Sequence, residues 1–258
     1  MDIYLDPTSD RPIYRQLAYA LRSAIVSGEL KPGDPLPSGR SLGAHYGLAL
    51  GTVREAISLL KAEGIIETRP GRGAFVRSNP PIRRLASDRF ARHHRQMGIG
   101  AYGVDLAQTG QSSQVDRIEI RCEVPPPDEV AKRLNLPPDE LVAVRSRRYL
   151  ADGEPMELAV SYIPWCLAKG TQIVEEDSGP GGIYARIEEQ DLRLERFTEQ
   201  VHSRMPTPEE ARSLIMSSGI PVFEVIRVAY ANDGYPVEEC DTVMRADRYI
   251  LLYNLPAE

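Results

Sequence analysis

The sequence predicts an α+β protein of two domains, a winged helix-turn-helix followed by an antiparallel-sheet domain. Three observations carry this. Residues 34–76 read as helix, turn, helix and two short strands. A stretch beginning at Val124 recurs 81 residues later in register and without a gap. No run approaches the roughly 18 apolar residues of a membrane span, so the apolar patterning is that of a globular chain.

Taken in order, residues 1–10 read as a loosely docked arm, with acidic residues and none of the apolar core of a signal peptide. Pro12 to Ser27 reads as a helix, with Ile13, Leu17, Leu21, Ala24 and Ile25 on one face and Gly28 at its end. Lys31-Pro32-Gly33-Asp34-Pro35 is a stiff loop. Ser38 stands at an N-cap position, where its hydroxyl can accept from a free helix N–H. Gly47 closes that short helix. Val53, Ala56, Ile57 and Leu60 give the next helix one apolar face, and Gly64 terminates it. Ile65–Arg69 and Ala74–Arg77 read as strands around the turn Pro70-Gly71-Arg72-Gly73. Such a motif places its second helix in the major groove of DNA. Thr52 and Arg54 lie near the start of that helix and off its apolar face, and Arg40 opens the helix before it.

Residues 11–77 closely resemble the winged helix-turn-helix of GntR-type transcription regulators, through PIYRQLAYALRSAIVSGELKPGDPLPS and GTVREAISLLKAEGIIETRPGRGAFV. The resemblance implies double-stranded DNA as partner. It implies contacts from Arg40, Thr52, Arg54 and Gly71, in a candidate surface that also includes Ser38, Gly51, Arg72 and Gly73. Where the family usually has Ser-Arg, this chain has Ala49-Leu50, so an operator unlike the usual family sequence is expected.

Composition fits this reading once it is divided. The 258 residues carry a net charge of −6. Residues 1–78 hold 10 Lys+Arg against 8 Asp+Glu, so the acidity sits in the second domain. A DNA-binding surface needs only a few placed cations. The three cysteines, Cys122, Cys166 and Cys240, are widely spaced and form no CxxC. They read as reduced thiols of a cytoplasmic protein, with neither a disulfide framework nor a zinc site.

Asn79-Pro80-Pro81 marks a boundary. Residues 79–98 then read as a basic linker helix, with Arg83, Arg84, Arg89, Arg92 and Arg95 either approaching phosphate or balancing the acidic domain from solvent. His93 and His94 are adjacent, so they are expected on different faces, with no carboxylate cluster to complete a metal site. The segment 98–114 is weakly periodic, and Val104-Asp105-Leu106 reads as a short strand.

Within residues 99–258 the repeat sets Val124–Glu129 over Met205–Glu210 and Asp152–Glu157 over Asp233–Glu238. Each unit reads as strand, Pro-started helix, strand, Asp-Gly turn, strand. Two units side by side predict one antiparallel sheet with helices on a face and a ligand cleft at the join. Residues 82–258 resemble the UTRA effector domain of the HutC subfamily, similar in fold to chorismate lyase, through RRYLADGEPMELAVSYIP, GGIYARIEE and GYPVEECDTVMRADRY.

In the strand at 145–149, Arg145, Arg147 and Tyr149 share one face. They read either as an anion site or as a solvated face with cross-strand partners such as Glu157. The HutC-type resemblance implies, for sensors of amino-sugar phosphates, two alternating arginines, a glutamate on the next strand, a serine before a Leu-Tyr pair, a later glutamate, and a tyrosine six residues on. Placed on Arg147, Tyr149, Ala159, Gly182, Glu238 and Met244, that pattern keeps only Arg147 and Glu238. An amino-sugar phosphate is therefore not expected. Tyr149, Tyr184, Met244 and Trp165 point instead to an aromatic-lined site for a more apolar effector. The loop 175–182 reads as a plain acidic turn or as an anion-binding helix start.

The resemblance thus implies a homodimeric transcription regulator, a repressor on an inverted-repeat operator released by a small-molecule effector. No metal or cofactor is expected. Two alternatives stand beside it: a ligand-blind DNA-binding dimer and a lyase-like enzyme. Against the enzyme, of His45, His93, His94 and His202 only the last lies in the sheet domain, and no acid–base partner follows for it.

Overall fold

The structure is a computed structural model, described here for residues 5–69, 71–77, 81–86, 88–216 and 218–255. These residues fall into two compact units: one from the N-terminus to Pro81 with 218–220, the other from Ile82 through Met216 and from Pro221 onward.

In the first unit, α1 (Ile13–Val26), α2 (Gly39–Tyr46) and α3 (Leu50–Ala62) precede a hairpin of β1 (Ile66–Arg69) and β2 (Gly73–Val76). Leu17 and Leu21 of α1 meet Val53, Ala56 and Leu60 of α3 in one buried cluster, as the helical spacing predicts. Ser38 caps α2, its Oγ accepting from Ser41 N at 3.1 Å. Gly47 ends that helix in the left-handed region at φ +65°, a conformation that costs glycine nothing. The wing closes through Arg72 N donating to Arg69 O at 3.0 Å, with Arg69 paired to Gly73.

The second unit is built on a six-stranded antiparallel sheet in the order β4-β5-β6-β9-β8-β7. The strands are β4 (Ser113–Val124), β5 (Val142–Ala151), β6 (Glu154–Pro164), β7 (Leu194–Arg204), β8 (Val222–Ala231) and β9 (Pro236–Arg245). The repeat is the architecture. Strands β4, β5 and β6 with α6 (Asp128–Arg133) form one half, and β7, β8 and β9 with α9 (Pro208–Ser213) form the other. The halves join where β6 pairs β9, and Val160 faces Asp241, its own repeat equivalent, across that join. A pseudo-two-fold axis therefore passes between these two residues. In α9 the acidic start becomes a full capping box between Thr207 and Glu210.

One face of the sheet is covered by α5 (Ala101–Ala107), by α7 (Trp165–Ala168) and a 3-10 turn (Gln172–Val174), and by α8 (Gly182–Glu188). Phe90, Ile163, Ile173, Ile183, Tyr184 and Ile187 form the larger cluster there. Ile82, Tyr102, Leu106, Met156, Met244 and Tyr249 form a second.

Two expectations fail here. The run 82–98 is not one helix. Ile82–Leu85 is a strand, β3, paired in parallel with β10 (Tyr249–Leu252), and only Arg92–Gln96 is helical, as α4. Arg83 is exposed, but the other four arginines of the run are held within the second unit. Arg84 is buried against Glu199, Arg89 pairs with Asp105 at 2.9 Å, and Arg92 and Arg95 share Glu188 at 3.0 and 3.1 Å. Likewise Val104-Asp105-Leu106 is not a strand but the middle of α5, all three buried.

Candidate nucleic-acid interface and ligand cavity

On the first unit, Ser38, Arg40, Gly51, Arg54, Gly71, Arg72 and Gly73 are exposed and Thr52 is half-buried. The period that buries Val53, Ala56 and Leu60 turns Arg54 outward. Arg40 is the second residue of α2, two after its cap, and is likewise exposed. Among the described residues neither arginine has an ion-pair partner, so both guanidinium groups face solvent. In the wing, Arg69 and Arg72 lie over the Phe75 ring at 4.6 and 5.9 Å, which fixes two cations beside the turn. A wide groove of about 1000 Å³ also runs along α1 past Tyr14 and Tyr19. Tyr19 is 60% exposed, and the groove lacks the convergent buried polar groups of a binding site.

The cavity lies in the second unit, about 500 Å³ in volume, against the covered sheet face. That size suits a small metabolite. Alternation along β5 brings Arg145, Arg147 and Tyr149 to its wall together. Cross-strand register then sets one row as Arg145, Ser161, Cys240, Arg227 and Glu199. The wall takes residues from both repeats: Arg147, Glu157, Ala159 and Ser161 from the first, Arg227, Glu238, Cys240 and Thr242 from the second.

The two arginines of β5 do different things. Arg145 donates to the carbonyls of Ile173, Glu175 and Glu176, and so holds the 3-10 turn and the acidic loop against the sheet. Burial, with Arg147 beside it, pulls its pKa down to about 10. Arg147 donates through Nη2 to Ser161 Oγ, while its buried Nε has no partner among the described residues. Opposite, Arg227 Nε donates to Tyr184 Oη at 3.0 Å, and Tyr184 Oη donates to Glu238 Oε2 at 2.6 Å. Burial, reinforced by the charge of Glu238, raises the Tyr184 pKa well above its usual value, so the phenol stays protonated as the donor.

The sequence reading of this site needs correction on four points. Met244 is fully buried in the second cluster and is not part of the cavity wall. Trp165 packs against the larger cluster and does not line the cavity either. The pattern taken at Arg147, Tyr149 and Ala159 also passes over charges that stand at the cavity. Arg145 and Arg147 are the alternating arginines at the cavity, and Glu157 is the glutamate of the next strand, so neither charge is lost. Finally, Glu157 is not a partner on a solvated face, being 4% exposed and accepting from Tyr249 Oη at 2.9 Å. The loop 175–182 supplies Glu176, Asp177, Ser178, Gly181 and Gly182 to the rim. Gly181, at φ +78°, is explained by packing, since a Cβ there would stand 2.9 Å from Ala185 Cβ and 3.0 Å from Arg95 O.

Ser161, Arg227, Thr242 and Arg89 line the cavity without having been singled out in the sequence. The gapless 81-residue shift sets Glu238 over Glu157 but sets Ser146, not Arg147, over Arg227. Strand register makes Arg227 the counterpart of Arg147, since Arg227 pairs with Cys240 and Arg147 with its repeat equivalent Ala159, so β5 and β8 correspond one residue out of the sequence repeat.

His93 and His94 do not diverge as adjacent residues should. Their ring centroids lie 3.9 Å apart, and His94 Nε2 meets Asp88 Oδ2 at 3.3 Å. The three could supply ligand atoms within 4.8 Å of one another, but His93 and Asp88 are exposed, and the His94–Asp88 contact accounts for the arrangement as a surface pair.

A reading head for duplex DNA and a buried polar cavity on a separate unit define a one-component regulator, in which one chain both binds DNA and senses a small molecule. Residues 13–76 match the gntR family of bacterial regulatory proteins, and residues 113–250 match the UTRA domain. The chain belongs to the GntR family of transcription regulators, in its UTRA-containing HutC group. It is 29% identical over 252 residues to the HTH-type transcriptional repressor NagR of Bacillus subtilis, covering 97% of this chain and 98% of that one. It is 28% identical to the mannosyl-D-glycerate transport/metabolism system repressor MngR of Escherichia coli, covering 93% and 94%. The crystal structure of PhnF from Mycobacterium smegmatis shares the fold, with a TM-score of 0.61 at 22% identity over 95% of this chain and 99% of that one. NagR and MngR are transcriptional repressors rather than enzymes, and this chain is a ligand-responsive DNA-binding regulator. Among the described residues, no helix is long and apolar enough to cross a membrane.

Proposed function

We propose that this protein is a cytoplasmic, homodimeric repressor that binds an inverted-repeat operator and is released by a small polyhydroxylated anion. The observation that carries the effector class is the cavity wall. Three guanidinium groups, Arg145, Arg147 and Arg227, converge with the hydroxyls of Ser161 and Thr242 and the carboxylates of Glu157 and Glu238. Arginine suits a carboxylate or phosphate, and paired carboxylates accept from sugar hydroxyls. The name of MngR, with its sugar-linked glycerate, supports the same chemistry. The exclusion of an amino-sugar phosphate is withdrawn with the pattern that produced it, and the apolar, aromatic-lined ligand loses Met244 and Trp165.

The DNA surface comprises Arg40, Thr52, Arg54 and the wing glycines, with two heads on two half-sites. The pairing of β3 with β10 and the contact of Arg84 with Glu199 support a boundary between reading head and effector domain near Ile82, earlier than a linker over 79–98. The test is a thermal-shift and operator-release screen over sugar phosphates, sugar acids, neutral sugars and aromatic acids. An anionic polyol that raises Tm and releases DNA supports the reading, since a ligand of the native state must stabilise it. A response confined to aromatic acids would restore the apolar site, and no response from any class would favour the ligand-blind dimer.

A further inference from the structure

We propose that Leu50 reads the C5-methyl group of a thymine in each operator half-site, and so sets the base preference at that position. This rests on the DNA-binding reading above. Leu50 is the first residue of α3 and is 43% exposed, one of three large apolar side chains so exposed on the first unit among the described residues. The other two, Tyr19 and Val26, lie on α1. Leu50 alone stands at the end of the helix that a helix-turn-helix inserts into the major groove, where its first residues meet base edges.

The neighbours make this edge apolar. Ala49, the N-cap, has no side-chain hydrogen bond to offer the helix and is exposed. Gly51 follows, also exposed, and an added Cβ there would meet nothing within 4 Å, so the helix start can approach a groove floor closely. Thr52 is half-buried. The tip thus carries no charge, and the cations Arg40 and Arg54 flank it. The tip is also fixed in place. A Cβ on Gly43 of α2 would lie 2.9 Å from Leu48 O and 4.0 Å from Leu50 Cδ2, so α2 packs directly against the turn that launches α3. Of the four bases, thymine alone shows a methyl group in the major groove, and an aliphatic side chain recognises it by burying it. A charged or hydrogen-bonding residue at this place would select guanine or adenine. Leucine offers no donor to them.

The experiment begins with selection of an operator from randomised duplex DNA by the full chain. Each thymine of the selected half-site is then replaced by deoxyuridine, which removes only the methyl group. At one position the replacement should weaken binding about fourfold per half-site, the ratio given by ~0.8 kcal/mol for one buried methyl-sized group. In Leu50→Ala that penalty should vanish, while binding of the uracil-containing operator stays close to that of the unaltered chain. The proposal is overturned if no thymine-to-uracil change weakens binding, or if Leu50→Ala keeps the full penalty. If selection enriches no sequence at all, the DNA-binding reading itself has failed, a result distinct from either.

Discussion

Glu157 and Glu238 occupy equivalent places in the two halves of the sheet, and each accepts from a tyrosine phenol: Glu157 from Tyr249 at 2.9 Å, Glu238 from Tyr184 at 2.6 Å. Both carboxylates line the cavity. They are not equally provided for. Glu238 also has Arg227 at 3.5 Å, whereas Glu157 has no ion-pair partner among the described residues. A buried carboxylate that loses a donor bears the desolvation cost of that lost bond. Tyr249→Phe should therefore destabilise by on the order of 1.5–3 kcal/mol, for its one hydrogen bond to a charged group, and Tyr184→Phe, which also strands Arg227 Nε, by at least as much. Urea unfolding of the two variants checks this, and a neutral Tyr249→Phe would contradict it.

Arg145 acts as a clasp in this scheme, while Arg147 keeps donor capacity for ligand. Arg145→Ala removes three hydrogen bonds to the carbonyls of 173, 175 and 176. Amide hydrogen exchange across 172–178 should then speed up, with operator binding preserved. Arg147→Ala should leave exchange in that loop unchanged and abolish the thermal shift given by any anionic effector. Equal loop exchange in the two variants would remove the distinction.

Arg54→Ala should weaken binding to the selected operator by about 5- to 150-fold, the ~1–3 kcal/mol of one lost base contact. Its Tm should not move, because the side chain is exposed and the core face of α3 is untouched. Fluorescence anisotropy beside a melting curve separates the two effects. A fall in Tm that matched the loss of binding would make Arg54 a structural residue.

The reading head was legible because its determinants are local. The Ser38 cap, the Gly47 stop and the 53, 56, 60 face of α3 each lie within a few residues of what they control. The sheet was legible through its repeat, which states its pairing twice. The run 82–98 was not. Ile82 and Arg84 point the same way from β3, but an arginine at an inward position reads as surface until its partner is known. That partner, Glu199, lies 115 residues away in sequence. Burial alone would raise the Glu199 pKa, yet the hydrogen bond from Arg84 holds it below the usual range. At the cavity, strand alternation made Arg145, Arg147 and Tyr149 legible, but not Glu157, because only the register of β5 against β6, which pairs Tyr149 with Glu157, shows that this carboxylate faces inward.

Asp241 gives a prediction that depends on pH. It sits at the pseudo-two-fold join on the sheet face away from the cavity, half-buried, with Oδ1 unpartnered among the described residues. Burial first, then the charge of neighbouring Glu239, pushes its pKa up to about 7, against pull from Arg133, with Glu224 adding to the rise. Glu239 itself is fully buried and held by Arg133 at 2.6 Å. The sign follows from linkage. A folded-state pKa above the ordinary 3.8 means the folded chain binds this proton more tightly than the unfolded one. Stability from this group therefore falls as pH rises from about 4 to about 7, and the loss is complete above that. Asp241→Asn keeps the shape and removes the charge. It should raise Tm at pH 8 and raise it much less at pH 5. Asp105, also raised to about 7 by burial, shares the direction but not the remedy. Asp105→Asn would strand Arg89, so it should destabilise at both pH values. Melting curves of both variants at pH 5 and pH 8 test the pair, and an Asp241→Asn effect of the same size at both would show that its carboxyl is not the group that titrates.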